Sequence, residues 1–465
     1  MTLKLRPYQI QDAQFLIKKH STACFNEQRT GKTPTALYTV KLRGLTKSDG
    51  TTRVLVITTA SALQQWQEEY ERWLNLPCTV CSGTKARRER LIKEEWQNGM
   101  IISLDSLKQT ARSEGMVPQI LKQKPQLLIL DEAHRIRNTK SASAKSVLKL
   151  ARRVPNKLAL TGTPAPGRAY DIFGILQFLY PRTFTSAWKF KREYFREDRQ
   201  EIWTGGSLRT FSEFNEFLPG KERDLQLLLS YISVRRTRAE VMPWLPDKDY
   251  QRVALPLTKI QEHALDTLHK EFRIGKLETV GVLDTLIRER QLCLDPQIVG
   301  VVGKSPKTEW LKQYLQDYEE PVLIFSKFTT YLKLLFNELS KKYKLAMIIG
   351  DTPQAKRHKY KTDFQAGKFN ILLLNIDAGK EALTLDRAET AIFMDKYPPI
   401  GDILQAEDRF VATTQDKQNK PHKIIELMMK DSFDETVYDL LRSRMTETDI
   451  INNYHHYLKG GSNAK

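Results

Sequence analysis

Cysteine is scarce in this chain: four residues in 465, at Cys24, Cys78, Cys81 and Cys293. Cys78 and Cys81 make one C-x-x-C with no second pair and no neighbouring histidine. A structural zinc ion needs four ligands, so this motif does not make a zinc site. "PCTVCSG" reads instead as a short strand ending at Gly83, its cysteines acting as small hydrophobes. Long apolar runs are also missing. None approaches the roughly 20 residues of a membrane helix, and "MTLKLRPYQIQ" has no apolar centre of the kind that marks a secretory signal. No repeat recurs at solenoid spacing. The expectation is a cytoplasmic protein without a membrane partner, in a bacterial or phage-infected cytosol, or a nuclear one in a eukaryote. Acidic residues fall short of basic ones, 55 against 74, leaving a net charge of +19. An excess of that size suits a polyanionic partner such as nucleic acid.

The length allows two or three domains with sizeable cores. Short apolar runs, "VLVITT" (54–59), "MIISL" (100–104), "LLILDE" (127–132) and "LALTG" (158–162), alternate with amphipathic stretches such as "SALQQWQEEYERWL". Continuous apolar strands separated by helices predict a parallel sheet covered on both faces. The rhythm lapses from about 181 to 300 and resumes with "VLIFS" (322–326), "LAMIIG" (345–350), "ILLLN" (371–375) and "AIFMD" (391–395). The expected fold class is α/β: two parallel-sheet domains in tandem with a mainly helical insertion and linker between them. The boundaries are 1–180, 181–300 with a hairpin near 200–210, 301–440, and a helical tail over 441–465.

In open α/β sheets, ligands bind beyond the carboxyl ends of the strands. Thr30-Gly31-Lys32-Thr33 opens the helical pattern "KTPTALYTVKL". Its N–H groups and dipole can hold a phosphate, Lys32 can reach the outer phosphates, and the Thr33 hydroxyl can bind Mg²⁺. The strict loop pattern lacks its first glycine, which is Asn26 here. "LLILDEAHRIRN" then delivers Asp131 and Glu132 at a strand end. One carboxylate is suited to hold Mg²⁺, partly through water, and the other to orient the attacking water. In "LALTGTP", Thr161 and Thr163 are candidates to hydrogen-bond those acids.

The ordered set "LRPYQ" (5–9), "TGKT" (30–33), "DEAHRIRN" (131–138), "LTGTP" (160–164), "VRRTRAEVMPWLPDK" (234–248), "VLIFSKFTTYL" (322–332), "AGKEALTL" (378–385) and "QAEDR" (405–409) resembles a superfamily-two helicase. More narrowly, it resembles the Swi/Snf-type ATPases, nearest to the fork-remodelling, annealing-helicase branch. The resemblance implies two RecA-like domains with ATP and Mg²⁺ between them and DNA across both. It implies that Gln9 reads adenine and that Gly379, Glu381 and Gln405 line the cleft or the DNA path. Arg409 brings positive charge to the transferring phosphoryl group, where charge builds on the equatorial oxygens. The implied activity is ATP-dependent translocation on duplex, branched or forked DNA by a monomer.

The sequence departs from that family pattern in three places. Arg29-Thr30 stands where the family usually has Gly-x, Lys380 and Ala382 where it often has glycines, and Ala412 and Thr414 replace the second arginine and the glycine after "QAEDR". A DNA-binding protein with a weakened ATPase and an RNA helicase therefore stay open as alternatives. Residues 181–210 hold seven basic and four acidic residues among aromatics. That stretch reads as an ordinary packed insertion, with the Gly205-Gly206 turn as a candidate strand-separating pin. "KKYK" (341–344) and "KRHKYK" (356–361) read as solvated helix faces, and His455-His456 as surface residues. The length leaves little room beyond the motor itself.

Overall fold

The computed structural model describes residues 4–442, except 48–52, 97, 109–114, 167, 205–206, 244–247, 276, 280–281, 377–384, 386, 397–405 and 408–421. The chain divides into two compact units, Met1–Pro243 and Trp244–Lys465.

The first unit runs α1 (Pro7–Leu16), β1 (Ser21–Cys24), α2 (Lys32–Leu42), β2 (Val54–Thr58), α3 (Leu63–Leu74), β3 (Cys78–Cys81), α4 (Lys85–Glu94), β4 (Gly99–Ser103), α5 (Val117–Lys122), β5 (Leu127–Leu130), α6 (Ala142–Ala151), β6 (Asn156–Leu160) and α7 (Phe173–Leu179). Next come α8 (Ala187–Tyr194), an antiparallel hairpin of β7 (Phe195–Thr204) and β8 (Ser207–Phe217), α9 (Lys221–Ile232), β9 (Ser233–Val234) and α10 (Arg238–Val241). Seven strands pair in the order β3-β4-β2-β5-β6-β1-β9, all parallel. Successive strand residues serve opposite faces. Leu55, Ile57, Leu128 and Leu130 enter one core, while Val54, Val56, Leu127 and Ile129 enter the other. Both faces are covered, which is why these strands read as unbroken apolar runs. Each such side chain stabilises the fold by about 1.5–3 kcal/mol relative to exposure.

The second unit contains β10 (Lys248–Leu255), α11 (Lys259–Glu271), β11 (Arg273–Ile274), β12 (Leu277–Glu278), α12 (Val282–Leu294), α13 (Pro306–Gln316), β13 (Val322–Ser326), α14 (Thr329–Leu339), β14 (Leu345–Ile348), α15 (Gln354–Gln365), β15 (Ile371–Asn375), β16 (Thr390–Phe393), β17 (His422–Met429) and a closing helix, Phe433–Arg442. Its six-stranded sheet, β10-β17-β16-β13-β15-β14, is also parallel throughout. The expected fold class, two parallel α/β sheets in tandem, is the observed one.

The middle stretch differs from its reading as a separate helical segment. Phe190, Tyr194, Phe195, Phe214, Leu225 and Ile232 join the core of the first unit, and β9 adds an edge strand to its sheet. From 248 onward the chain serves the second unit, with β10 as an edge strand of that sheet. Arg357 is a second difference. It lies in "KRHKYK", yet it is buried and donates to the carbonyls of Thr352 (2.7 Å), Ile349 (3.0 Å) and Gly350 (2.8 Å). The guanidinium thus closes the turn between β14 and α15 instead of facing solvent. Cys78–Cys81 is a strand, and burial pushes both its thiols up to about 12, so they stay protonated. No helix among the described residues is long and apolar enough to cross a membrane.

The closing helix is pinned by a fully buried cation. Lys307 Nζ donates to Met394 O at 2.9 Å and to Asp434 Oδ2 at 2.5 Å. Removing one partner of a buried pair leaves an uncompensated charge. Asp434→Ala is expected to lower the unfolding free energy by about 3–5 kcal/mol, as urea denaturation of this protein will measure.

Candidate active site

The carboxyl ends of β1, β5 and β6, neighbours in the first sheet, each run into a polar segment. After β1 the chain turns through residues 25–31 into α2. Gly31, the residue before the helix, has φ +80° and ψ +43°, a left-handed conformation that suits glycine. A Cβ there would also lie 2.2 Å from Gln9 Nε2, so a side chain would have to push the Gln9 amide off the loop. Arg29 is left-handed too, at φ +65°. That is the position at which the family pattern usually carries glycine, and holding arginine there costs about 1–2 kcal/mol.

α1 braces this loop. Tyr8 OH donates to Thr30 O at 2.6 Å, and Gln9 Nε2 reaches Thr30 O (3.3 Å) and Gly31 O (3.4 Å). The Gln9 carbonyl accepts from Arg6 N at 2.8 Å. The Thr30 side chain is buried and bonds Glu27 O at 2.8 Å, so it shapes the loop from within. Lys32 curls back over the loop, its Nζ donating to the carbonyls of Asn26 (3.0 Å) and Glu27 (3.1 Å). The first-turn N–H groups of α2, which lack intrahelical acceptors, open beside it.

Asp131 follows β5 directly. Its Oδ2 accepts from Thr58 Oγ1 and Trp66 Nε1, both at 2.8 Å, and its Oδ1 from Glu132 N at 3.0 Å. Burial raises the Asp131 carboxyl above the ordinary carboxylate range, and the Glu132 charge adds to that. The Trp66 and Thr58 bonds and the Lys32 charge pull the other way. The last effect shows the charge of the loop lysine reaching an acid two strands away. Glu132 is held at φ +47°, a left-handed conformation that costs a non-glycine residue about 1–3 kcal/mol and is met most often at functional sites.

Thr161 does not bond the acids. Its Oγ1 pairs with His134 Nδ1 at 2.9 Å and accepts from Thr163 N at 3.1 Å. The "LTGTP" turn therefore meets the "DEAH" turn through the histidine. A Cβ on Gly162 would lie 3.0 Å from Gln28 Cγ, so the same turn packs against the phosphate loop. A Cβ on Gly174 would sit 2.4 Å from Ile136 O, which lets α7 press on the far end of "DEAHRI".

Lys32, Thr33, Asp131 and Glu132 thus follow β1 and β5, which flank β6 in the sheet, with Gln9 and Thr30 in the scaffold of the loop. Gly379, Glu381, Gln405, Arg409, Lys380, Ala382, Ala412 and Thr414, with Gly205, Gly206, His455 and His456, lie outside the described residues. In the second unit, Glu407 of "QAEDR" is buried and bonds Lys396 Nζ at 2.9 Å and Tyr250 OH at 2.8 Å. Sequence reasoning missed Thr58, Trp66 and the bracing role of Gln9. The available signal for Trp66 was an indole in the amphipathic pattern just after a strand ending in threonine.

The residues fit a nucleoside triphosphate with Mg²⁺. Gly31 takes a left-handed backbone that disfavours side chains, and the Lys32 ammonium rests on two main-chain carbonyls, an arrangement a phosphate oxygen can replace. Among the described residues no group of three His, Cys, Asp or Glu could hold a metal alone.

Two tandem α/β units, the first with a phosphate loop and paired carboxylates on one rim of its sheet, define a protein of the helicase type. The chain belongs to the SNF2-related domain family: that domain matches residues 8–298, and the helicase conserved C-terminal domain matches 306–411. It is similar to the mouse SWI/SNF-related matrix-associated actin-dependent regulator of chromatin subfamily A member 1, at 27% identity over 96% of this chain and 43% of the relative. It is also similar to the human DNA annealing helicase and endonuclease ZRANB3, at 24% identity over 87% of this chain and 37% of the relative. A third relative is the Saccharomyces cerevisiae ISWI chromatin-remodeling complex ATPase ISW1, at 26% identity over 91% and 38%. The chain spans about two fifths of the length of these relatives.

Gly31→Ala meets both the backbone restriction and the Gln9 amide. It is expected to lower the unfolding free energy by about 2 kcal/mol. Denaturant titration against a Gly44→Ala control tests this, because Gly44 shares the positive φ (+68°) but has nothing within 4 Å of its Cβ position.

Proposed function

We propose that this chain is an ATP- and Mg²⁺-dependent DNA translocase or helicase. The observation that supports it best is that Lys32's loop and the Asp131-Glu132 pair leave the same rim of the sheet, from β1 and β5 on either side of β6, in a member of the SNF2-related family. In this reading Lys32 and the first-turn N–H groups of α2 bind the outer phosphates, while Thr33 and Asp131 hold the metal. When bound, Mg²⁺ neutralises charge on the terminal phosphates. Glu132 orients the attacking water from its fixed backbone position. Gln9 takes adenine by giving up one of its two long bonds to the loop. From the second unit, Arg409 brings positive charge to the phosphoryl group, with Gly379, Glu381 and Gln405 as further contributions.

The proposed substrate is duplex DNA, with a preference for forked or branched forms. Three features support it: the net charge of +19, the annealing-helicase relative, and the antiparallel hairpin of β7 and β8. The hairpin ladder runs from Phe195↔Phe217 to Thr204↔Ser207, long enough to act as a wedge between strands.

ATP hydrolysis is expected to rise at least tenfold with DNA and to fall by several powers of ten in Lys32→Ala. Turnover that ignores DNA and survives in that variant would sink the motor reading. Competition among duplex DNA, forked DNA and duplex RNA for stimulation then identifies the nucleic acid. A protein whose 200–210 turn is shortened should lose strand displacement on forks while keeping DNA-stimulated hydrolysis. Unchanged displacement would remove the wedge.

A further inference from the structure

We infer that Asp12 is a positioning residue for the nucleotide site, fixing the floor of the phosphate loop to the chain segment 234–238. The inference rests on the nucleotide-binding reading above. Asp12 is 1% exposed, and a carboxylate at that depth must be paired. It has two partners from distant parts of the chain: Asn26 Nδ2 at 2.7 Å and Arg236 Nε at 3.1 Å. Around this bridge the loop is zipped to the segment after β9. Phe25 N donates to Val234 O at 2.8 Å, Glu27 N to Arg236 O at 2.9 Å, and Arg238 N to Glu27 Oε2 at 2.8 Å. The first half of the phosphate loop therefore continues the β1–β9 pairing as an extended ladder.

The functional consequence lies in which atoms carry Lys32. Its ammonium rests on the carbonyls of Asn26 and Glu27, the two residues that Asp12, Arg236 and Arg238 hold in place. Loss of the Asp12 charge would leave the buried Asn26 amide and the partly exposed Arg236 guanidinium facing a mismatched partner, and the floor beneath Lys32 would shift. Asp131 and Glu132 are anchored separately, through Thr58, Trp66 and β5. Asp12 should thus govern nucleotide affinity and leave the chemical step nearly untouched.

The substitutions follow from donor–acceptor matching. Asp12→Asn keeps the volume but turns an amide NH₂ toward either Asn26 Nδ2 or Arg236, both donors. Adding Asn26→Asp restores one acceptor for each donor. ATP affinity is measured by calorimetry with Mg²⁺ and no DNA, alongside kcat, KM and melting temperature, for the parent, Asp12→Asn, Arg236→Gln and the Asp12→Asn/Asn26→Asp double variant. The expected result is ATP binding weakened about tenfold or more in each single variant, the scale of one charge-assisted hydrogen bond. KM should rise with kcat kept within about twofold, and the double variant should recover affinity. Amide exchange at Glu27 should quicken in Asp12→Asn while exchange in β5 stays unchanged. Affinity unchanged in both single variants, or lowered only as melting falls and unrescued by the double variant, overturns the role. Should the parent itself bind no ATP, the functional reading falls on that measurement alone, and this role falls with it.

Discussion

Everything in the first unit depends on one constraint: in a parallel sheet all strands finish on the same edge. Lys32, Asp131 and Thr161 are far apart in sequence, yet each follows a strand, and β1, β6 and β5 are direct neighbours. The registers Cys24↔Leu160 and Leu130↔Ala159 end those strands at nearly the same level. The polar tails must then collect on one rim. The cost of that arrangement is a sheet buried on both faces, which the sequence meets with Val, Ile and Leu along β2, β4 and β5. The rim is polar because the core beneath it is not.

The rim also concentrates unfavourable backbone geometry. Arg29, Gly31 and Glu132 all have positive φ, and two of the three are not glycine. Such conformations persist only where surrounding contacts over-determine them. Those contacts are visible: Tyr8 and Gln9 clamp the loop after Arg29, and the Glu132 N–H is taken by Asp131 Oδ1. The departure at Arg29 thus has a physical content. The chain keeps the backbone shape that glycine would allow freely and holds it with neighbouring hydrogen bonds.

These features were unequally legible in the sequence. "VLVIT" and "LLIL" announced buried parallel strands, and the polar residues behind them announced the site, because both signals are local. β9 was hidden because it is two residues, Ser233-Val234, followed by two arginines, with no apolar run to mark it. Asp12 was hidden for a related reason. Gln9, Asp12, Ala13 and Leu16 form the buried face of α1, but a carboxylate on a short helix reads as its solvated side. By sequence Thr161 is a candidate partner for the acids, because strand ends give proximity without direction; in the structure His134 stands between. The division of 181–300 followed from the same blindness to edge strands, whose pairing is non-local.

The buried carboxylates differ in what neutralises them, and the difference separates structure from chemistry. Asp434 is paired with Lys307, and Asp12 with Arg236. In both, a cation satisfies the charge, and the pair joins distant segments. Asp131 is bonded by a hydroxyl, an indole N–H and a backbone N–H, all uncharged donors. Neutral donors orient a carboxylate without cancelling its charge, which is why burial still raises its proton affinity. Under the proposed function, that uncancelled charge is what a metal ion would take up. The sheet rim thus keeps one acid oriented by neutral donors, with the Lys32 charge acting on it from two strands away.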